Sequence, residues 1–440
     1  MVPVSPYLSR PDATGGHPTV SDFHLAGGHN GHFPIHHQTK ELSKAITITG
    51  VKIKHKTRPL CRRRTIWYIR KNASVFFHLA NDHLRRRKKM NKTGIVKDDR
   101  YIHHQMGAHH PESPERLKAI YAMLEEQDMR GRFVEVPVRR AERNELLFVH
   151  SPDYVDLIAA TDGKPYTYLD PDTQTCAASY EAAILAAGGF CQAVSMVETM
   201  EIDNAFALVR PPGHHAEKSQ AMGFCLFNNV AIGARYARES MKLKRLLIVD
   251  WDLHHGNGTQ HSFEEDPSIL YFSVHQYPYY PGTGAFNEIG RGAGEGFTVN
   301  VPLPVGCGDG EYLGIFEKIL KPVALEFKPQ MILVSAGFDT FEGDPLGGMQ
   351  VTPHGFAGMT RSIMEIAEAC CNGKVAITLE GGYHVQGQSK SVQEVLNELS
   401  GLSKTDIREL LGKGDDRILE SVVKRTTEIH QRYWKTLSPN

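Results

Sequence analysis

Six apolar runs, NAFALVR (204–210), RLLIVDWD (245–252), ILYFSVH (269–275), FTVNVPL (297–303), MILVSAGFD (331–339) and KVAITLEGG (374–382), constrain the fold of this chain most strongly. They are apolar throughout rather than alternating, which is how strands buried on both faces read. Helices are expected at residues 114–127, 180–200, 228–241, 310–327 and 354–371, lying mostly between the strands. Strands interleaved with helices describe a mostly parallel sheet covered on both sides. The expected fold class is therefore α/β, a single three-layer α/β/α domain with a mostly parallel central sheet.

In such sheets functional groups gather beyond the carboxyl ends of the strands. Four of the runs end in chemistry: RPPGHH (210–215), DWDLHH (250–255), AGFD (336–339) and LEGGY (379–383). With strand geometry through this stretch, a period of two puts Asp250, Asp252 and His254 nominally on one face and turns His255 away. Two carboxylates and an imidazole are costly to bury unless a cation or dense hydrogen bonding compensates them. A metal is the economical explanation, and Asp339 from another strand end supplies a third ligand. An Asp, His, Asp set with an open position suits a catalytic zinc. A purely structural ion-pair network is the competing reading.

The tandem His214 and His215 follow two prolines and a glycine, a rigid turn able to aim both rings into one pocket. One is a candidate general base toward water, the other its electrostatic partner. Tyr383 follows two glycines and is a candidate hydroxyl donor to a developing oxyanion.

Of 440 residues, 41% are apolar, enough for a large core, and the net charge is zero. That balance hides an asymmetry. Residues 1–89 carry 17 Lys and Arg against 4 Asp and Glu, whereas residues 90–440 carry 33 against 46. The first 89 residues also hold nine histidines and the clusters CRRRT and LRRRKK. This basic, histidine-rich extension is expected to be either a disordered arm or the product of a start assigned too far upstream of Met90. The candidate site residues all fall in residues 90–440.

Seven cysteines without CxxC spacing indicate neither a disulfide framework nor a cysteine zinc site. Nor does any apolar run approach the roughly 20 residues needed to span a bilayer. A soluble, cytoplasmic protein with no membrane partner is expected, with nuclear access if the source is eukaryotic. GRGAGEG (290–296) precedes a strand and lacks GK[ST], so phosphate binding is not expected. The segment from about Thr405 to Trp434 has helical periodicity, suited to helices packed on the domain.

Together RPPGHH, GFCLFNN (223–229), DWDLHHGNGT, SVHQYPYYPGTG (273–284), SAGFDTFEGDPLGG (335–348) and LEGGY resemble the zinc-dependent histone deacetylase family, with HHPESPERL (109–117) as its N-terminal signature. The resemblance runs from about residue 95 to residue 400 and implies an arginase/deacetylase-like fold. Residues 90–440, C-terminal helices included, are then expected to form the deacetylase domain. The resemblance implies Zn(2+) on Asp252, His254 and Asp339. His215 is implied as general base and then acid, His214 as its electrostatic partner oriented by Asp250, and Tyr383 as the group polarising the acetyl carbonyl. Gly223 is implied to accept the substrate amide, with Phe224 and Tyr280 walling a narrow channel. Structural K(+) on backbone carbonyls around Asp250 to His254 and Ser273 to Val274 is implied as well.

Asn257, where one branch of the family has Asp, together with LDPDT (169–173), resembles class II. Retention of Tyr383 implies an active enzyme. The related ureohydrolases bind a second metal through extra acids, whose positions here are Gly256 and Phe341, so one metal is expected. Polyamine-selective members place an acid at the rim where this chain has Leu346, which favours an acetylated protein or peptide over an acetylpolyamine. Asp170 or Asp172 is a candidate to hold the peptide backbone at that rim, or simply to cap its own loop. A non-catalytic scaffold that binds acetylated ligand is the alternative from another class. Direct nucleic-acid binding by the deacetylase-like part is not expected, and the oligomeric state is open.

Overall fold

The structure, a computed structural model, describes residues 90–438. The expectation for residues 1–89 lies outside the described residues. In chain order the strands are β1 (Thr93–Val96), β2 (Val134–Glu135), β3 (Tyr166–Tyr168), β4 (Gln174–Cys176), β5 (Asn204–Ala207), β6 (Leu246–Asp250), β7 (Ile269–Gln276), β8 (Thr298–Leu303), β9 (Met331–Ala336) and β10 (Val375–Leu379). Eight of them form the central sheet in the order β2-β1-β5-β10-β9-β6-β7-β8. Every pairing in that sheet is parallel. The other two, β3 and β4, make a separate antiparallel ribbon.

Every residue of β5, β6, β7, β8, β9 and β10 is buried. Each Leu, Ile, Val or Phe so enclosed contributes roughly 1.5–3 kcal/mol relative to exposure. Helices Ser179–Glu198 and Asn229–Glu239 pack on one another as one layer, and Pro353–Cys371, Val385–Ser400 and Glu115–Leu124 pack together as another. Local chemistry sets their ends. Thr352 caps the helix Pro353–Cys371 by accepting the Gly355 N–H, Pro353 opens it, and Asn372 closes it in the left-handed region at φ 56°.

Three expectations need correction. The helix expected over residues 310–327 is broken into Asp309–Ile315, a π-helical turn Phe316–Leu320, and Lys321–Phe327. Pro322 has no N–H to continue an α-ladder. Second, the 20-residue helix Ser179–Glu198 is long and apolar enough to cross a bilayer by length and composition. Most of its residues are buried, and it serves as a core helix.

Third, the strands stop earlier than their apolar runs. β5 ends at Ala207, β6 at Asp250, β9 at Ala336 and β10 at Leu379. The residues left over include the polar ones, so the alternation invoked for Asp252 and His254 does not apply to them. They lie on a loop that leaves the ladder. β5, β10, β9 and β6 are consecutive neighbours in the sheet. The four loops bearing His, Asp and Tyr therefore leave the sheet side by side.

Candidate active site

Asp252, His254 and Asp339 are the one potential metal-ligand group found among the described residues, with donor atoms within 4.8 Å of one another and all three residues buried. His254 Nδ1 lies 3.2 Å from Asp252 Oδ1 and 3.1 Å from Asp339 Oδ2. The remaining oxygens are tied to backbone: Asp252 Oδ2 accepts the Gly381 N–H at 2.9 Å, and Asp339 Oδ1 accepts that of Leu253 at 2.9 Å. Such outer bonds fix the direction in which each ligand points.

Glycine lets the backbone come this close. A Cβ at Gly337 would sit 2.0 Å from Asp252 Oδ2, and one at Gly381 would sit 2.3 Å from Asp339 Oδ2.

The set competes for positive charge. Burial and the adjacent Asp252 push the Asp339 carboxyl up to about 7. Against the cost of burial, Asp252 and Asp339 draw the His254 imidazole up to about 9. Two buried carboxylates sharing one imidazole, with hard oxygen and imidazole donors converging, fit a divalent cation such as zinc.

The histidine pair is split by its surroundings. Burial opposes charge on His214, but Asp252 and Asp250 raise it to about 10. Its Nδ1 is 3.1 Å from Asp250 Oδ2, which also accepts the Tyr271 hydroxyl at 3.1 Å. His215 is held well below the ordinary imidazole value by burial and then by the positive charge of His214 and His254. Neighbouring groups pushed apart in this way are suited to different roles. His215 Nδ1 is 2.7 Å from Asn257 Oδ1. His255 bonds instead to Thr283 and Gln260 and takes no part in the ligand group.

A cavity of about 190 Å³ is lined by Asp172, His215, Gly223, Phe224, His254, Tyr280, Leu346 and Tyr383. It thus gathers the implied substrate-binding residues beside His215 and His254. Gly223 has φ 57°, and a Cβ there would strike the His215 ring at 2.3 Å. Phe224 follows at φ 69°, a conformation costly for an aromatic residue and tolerated at sites that need it. Two bonds hold this turn: the Gly223 N–H to Asp172 Oδ1 at 3.1 Å and the Phe224 N–H to Thr173 Oγ1 at 3.0 Å. Asp172 therefore braces the turn, and Asp170 caps its own loop by accepting the Asp172 N–H.

Tyr383 sits edge-on to Phe224 with its ring under the Arg116 guanidinium, and burial keeps its hydroxyl protonated. Leu346 lies at the same rim, its carbonyl accepting the Tyr279 hydroxyl at 2.8 Å.

Several contributors were not read from the sequence. Glu380 is fully buried, accepts the Gly213 and His214 N–H groups and the Ser335 hydroxyl, and is pushed up to about 7 by burial. Its position directly after a strand, before Gly-Gly, was the available signal. Arg116 donates to the Gly382 and Glu380 carbonyls, and Glu112 joins it to Arg210. The i, i+4 spacing of Glu112 and Arg116 within PESPER was visible, but not their long-range partners.

The fold and site define a class: α/β proteins that collect an Asp, His, Asp ligand set, a histidine pair and a tyrosine beyond the carboxyl edge of a parallel sheet. The chain belongs to the histone deacetylase domain family, whose model matches residues 110–399. It is 43% identical over 318 residues to "Histone deacetylase 5" of Arabidopsis thaliana, covering 68% of this chain and 48% of that protein. It is 38% identical to a "Probable deacetylase" of Archaeoglobus fulgidus, covering 78% of this chain and 99% of that one. The crystal structure of the HDA15 HD domain superposes with a TM-score of 0.73 at 39% identity, covering 79% of this chain and 96% of that chain. The chain spans about half the length of the curated plant relatives, 48% and 53%.

Proposed function

We propose that this protein hydrolyses the acetyl-amide of N6-acetyl-lysine in proteins or peptides, with a single zinc ion on Asp252, His254 and Asp339. The observation that carries the reading is the convergence around one cavity of a buried Asp, His, Asp ligand set, the adjacent His214 and His215 held by Asp250 and Asn257, and Tyr383. When bound, the metal would supply Lewis-acid polarisation of the amide carbonyl and acidify water beside it.

The chain's own groups do the rest. His215, kept neutral, takes the proton of the attacking water and returns one to the departing lysine amine, while charged His214, paired with Asp250, stabilises the negative charge that develops. Tyr383, kept protonated, donates to the carbonyl oxygen as it becomes an oxyanion. Phe224 and Tyr280 exclude water around the aliphatic chain, and the Gly223 carbonyl accepts the substrate amide.

Asn257 supports assignment to class II. Potassium on the carbonyls near Asp250 and Ser273 belongs to the same reading. Work in the reducing cytoplasm fits the six free cysteines among the described residues.

One observation favours a second reading. "Polyamine deacetylase HDAC10" of Homo sapiens is 43% identical over 309 residues. Against it, Leu346 lines the cavity where a cationic chain needs an acid. Comparing acetyl-lysine peptide with acetylspermidine under identical conditions tests the choice. Faster peptide turnover is expected, and faster acetylspermidine turnover would overturn it.

A further inference from the structure

The orientation of the Asn257 amide decides which nitrogen of His215 carries its proton. Asn257 Oδ1 is 2.7 Å from His215 Nδ1. With the carbonyl end of the amide in that position, Nδ1 must donate, which leaves the lone pair on Nε2 as the base that His215 presents to the cavity. The two ends of a primary amide are nearly the same shape, so shape alone does not set this direction. The reversed amide would offer an N–H to Nδ1, drive the proton to Nε2 and remove the base.

What selects the working direction lies on the other side of Asn257. Its Nδ2 donates to Glu217 Oε1 at 2.5 Å. The other acceptors near Nδ2, the His215 carbonyl and Met222 Sδ, are each at 3.4 Å. Reversal would set Oδ1 against a carboxylate oxygen at the distance of the present hydrogen bond, two acceptors with no proton between them. A charged acceptor makes the stronger bond, so Glu217 dominates the choice.

Glu217 is itself held from two sides. His261 Nδ1 donates to the same Oε1 at 2.8 Å, and His150 Nδ1 donates to the Glu217 backbone carbonyl at 2.9 Å. The Glu217 side chain is 22% exposed, so the brace reaches from the protein surface to a histidine that is 3% exposed.

We propose that Glu217 is a positioning residue that fixes the tautomer of His215 through the side-chain amide of Asn257. The dependence arises because residue 257 is an amide. An aspartate there offers oxygen in either direction and needs no partner to set it, and beside Glu217 it would bring two carboxylates into contact.

The kinetic half of the test rests on the deacetylase reading, and the spectroscopic half does not. In the metal-loaded full-length protein, Glu217→Ala is expected to lower kcat by about 10–100-fold, taking as a guide the losses that follow removal of an outer partner of a metal-ligating histidine, with KM nearly unchanged. Glu217→Gln, whose carbonyl still accepts the Asn257 N–H, is expected to recover most of that loss. In an Asn257→Asp background, where Glu217 faces a second carboxylate, Glu217→Ala is expected to cost nothing further or to recover activity.

Ring-nitrogen NMR of histidine-labelled protein reads the tautomer directly, the His215 signals being assigned by their absence in His215→Gln. Wild type is expected to show Nδ1–H and an unprotonated Nε2, and Glu217→Ala a mixture with Nε2–H. Glu217→Met keeps the volume and replaces the alanine variant in both measurements if alanine costs the fold. An unchanged His215 tautomer in these variants, or a loss of kcat as large in the Asn257→Asp background as in the wild-type one, would overturn the proposal. Wild-type protein without turnover would overturn the deacetylase reading while leaving the tautomer measurement in force.

Discussion

The carboxylate of Asp344 accepts the backbone N–H of Tyr383 at 2.7 Å. The same oxygen takes the His384 N–H at 2.9 Å, while the other accepts that of Leu346 at 2.9 Å. One side chain thus ties the loop after β9 to the loop after β10 and sets where the tyrosine stands. We predict that Asp344→Asn, which keeps one acceptor oxygen and loses the charge, lowers kcat by roughly 10–100-fold with a smaller change in KM. Steady-state kinetics on an acetyl-lysine peptide check this, and an unchanged kcat would show that the tyrosine is positioned otherwise.

Tyr383→Phe removes the hydroxyl and nothing else that packs. Losing one donor to a developing oxyanion costs about 10²–10³ in kcat. That loss is predicted without a fall in thermal midpoint, measured in parallel by calorimetry. A variant with near wild-type kcat would remove Tyr383 from the reaction.

The clustering of His, Asp and Tyr was legible in the sequence for a geometric reason, whereas Gly223, Phe224, Tyr280 and Leu346 were reached only through the family resemblance. Apolar runs that stop at His, Asp and Tyr already describe strand ends, and parallel sheets place such ends together. What could not be read was where each strand stops. Hydrophobicity continues through Trp251 and Leu253, both fully buried, although the ladder ends at Asp250. Convergence of Asp252 and His254 therefore comes from a loop held by Asp339 and Gly381, not from strand alternation. Glu380, Asp344, Arg116 and Glu217 were hidden for a different reason. Each acts through a backbone group or side chain 39 or more residues away in sequence, and single-residue chemistry does not announce such partners.

His430 is fully buried, and neither ring nitrogen has a hydrogen-bond partner among the described residues. Burial lowers its pKa from 6.5 to about 4. The folded state therefore binds this proton less readily than the unfolded chain. The histidine's contribution is fully present above pH 6.5 and is lost as pH falls toward 4, by roughly 3 kcal/mol over the whole interval. His430→Leu removes both the unpaired nitrogens and this dependence. Denaturant midpoints should rise at pH 7.5 and rise further at pH 5. A variant less stable than wild type at both values would contradict the assignment.

Leu346 lines the cavity mouth and offers no charge to a cationic chain. We predict that Leu346→Glu shifts the ratio of kcat/KM for acetylspermidine over acetyl-lysine peptide upward by about tenfold, a rim ion pair contributing on the order of 1 kcal/mol. Measuring both substrates with both proteins checks it, and an unmoved ratio would show that selectivity is set elsewhere.

The most direct test of the account is metal dependence. Protein stripped with chelator should lose turnover of an acetyl-lysine peptide and regain it on titration with zinc, saturating at one equivalent per chain. Asp339→Asn, which removes one of the two carboxylate ligands, should bind zinc weakly and stay inactive at the same titration point. Full turnover by stripped protein, or restoration requiring two equivalents, would contradict a single-metal deacetylase centre on Asp252, His254 and Asp339.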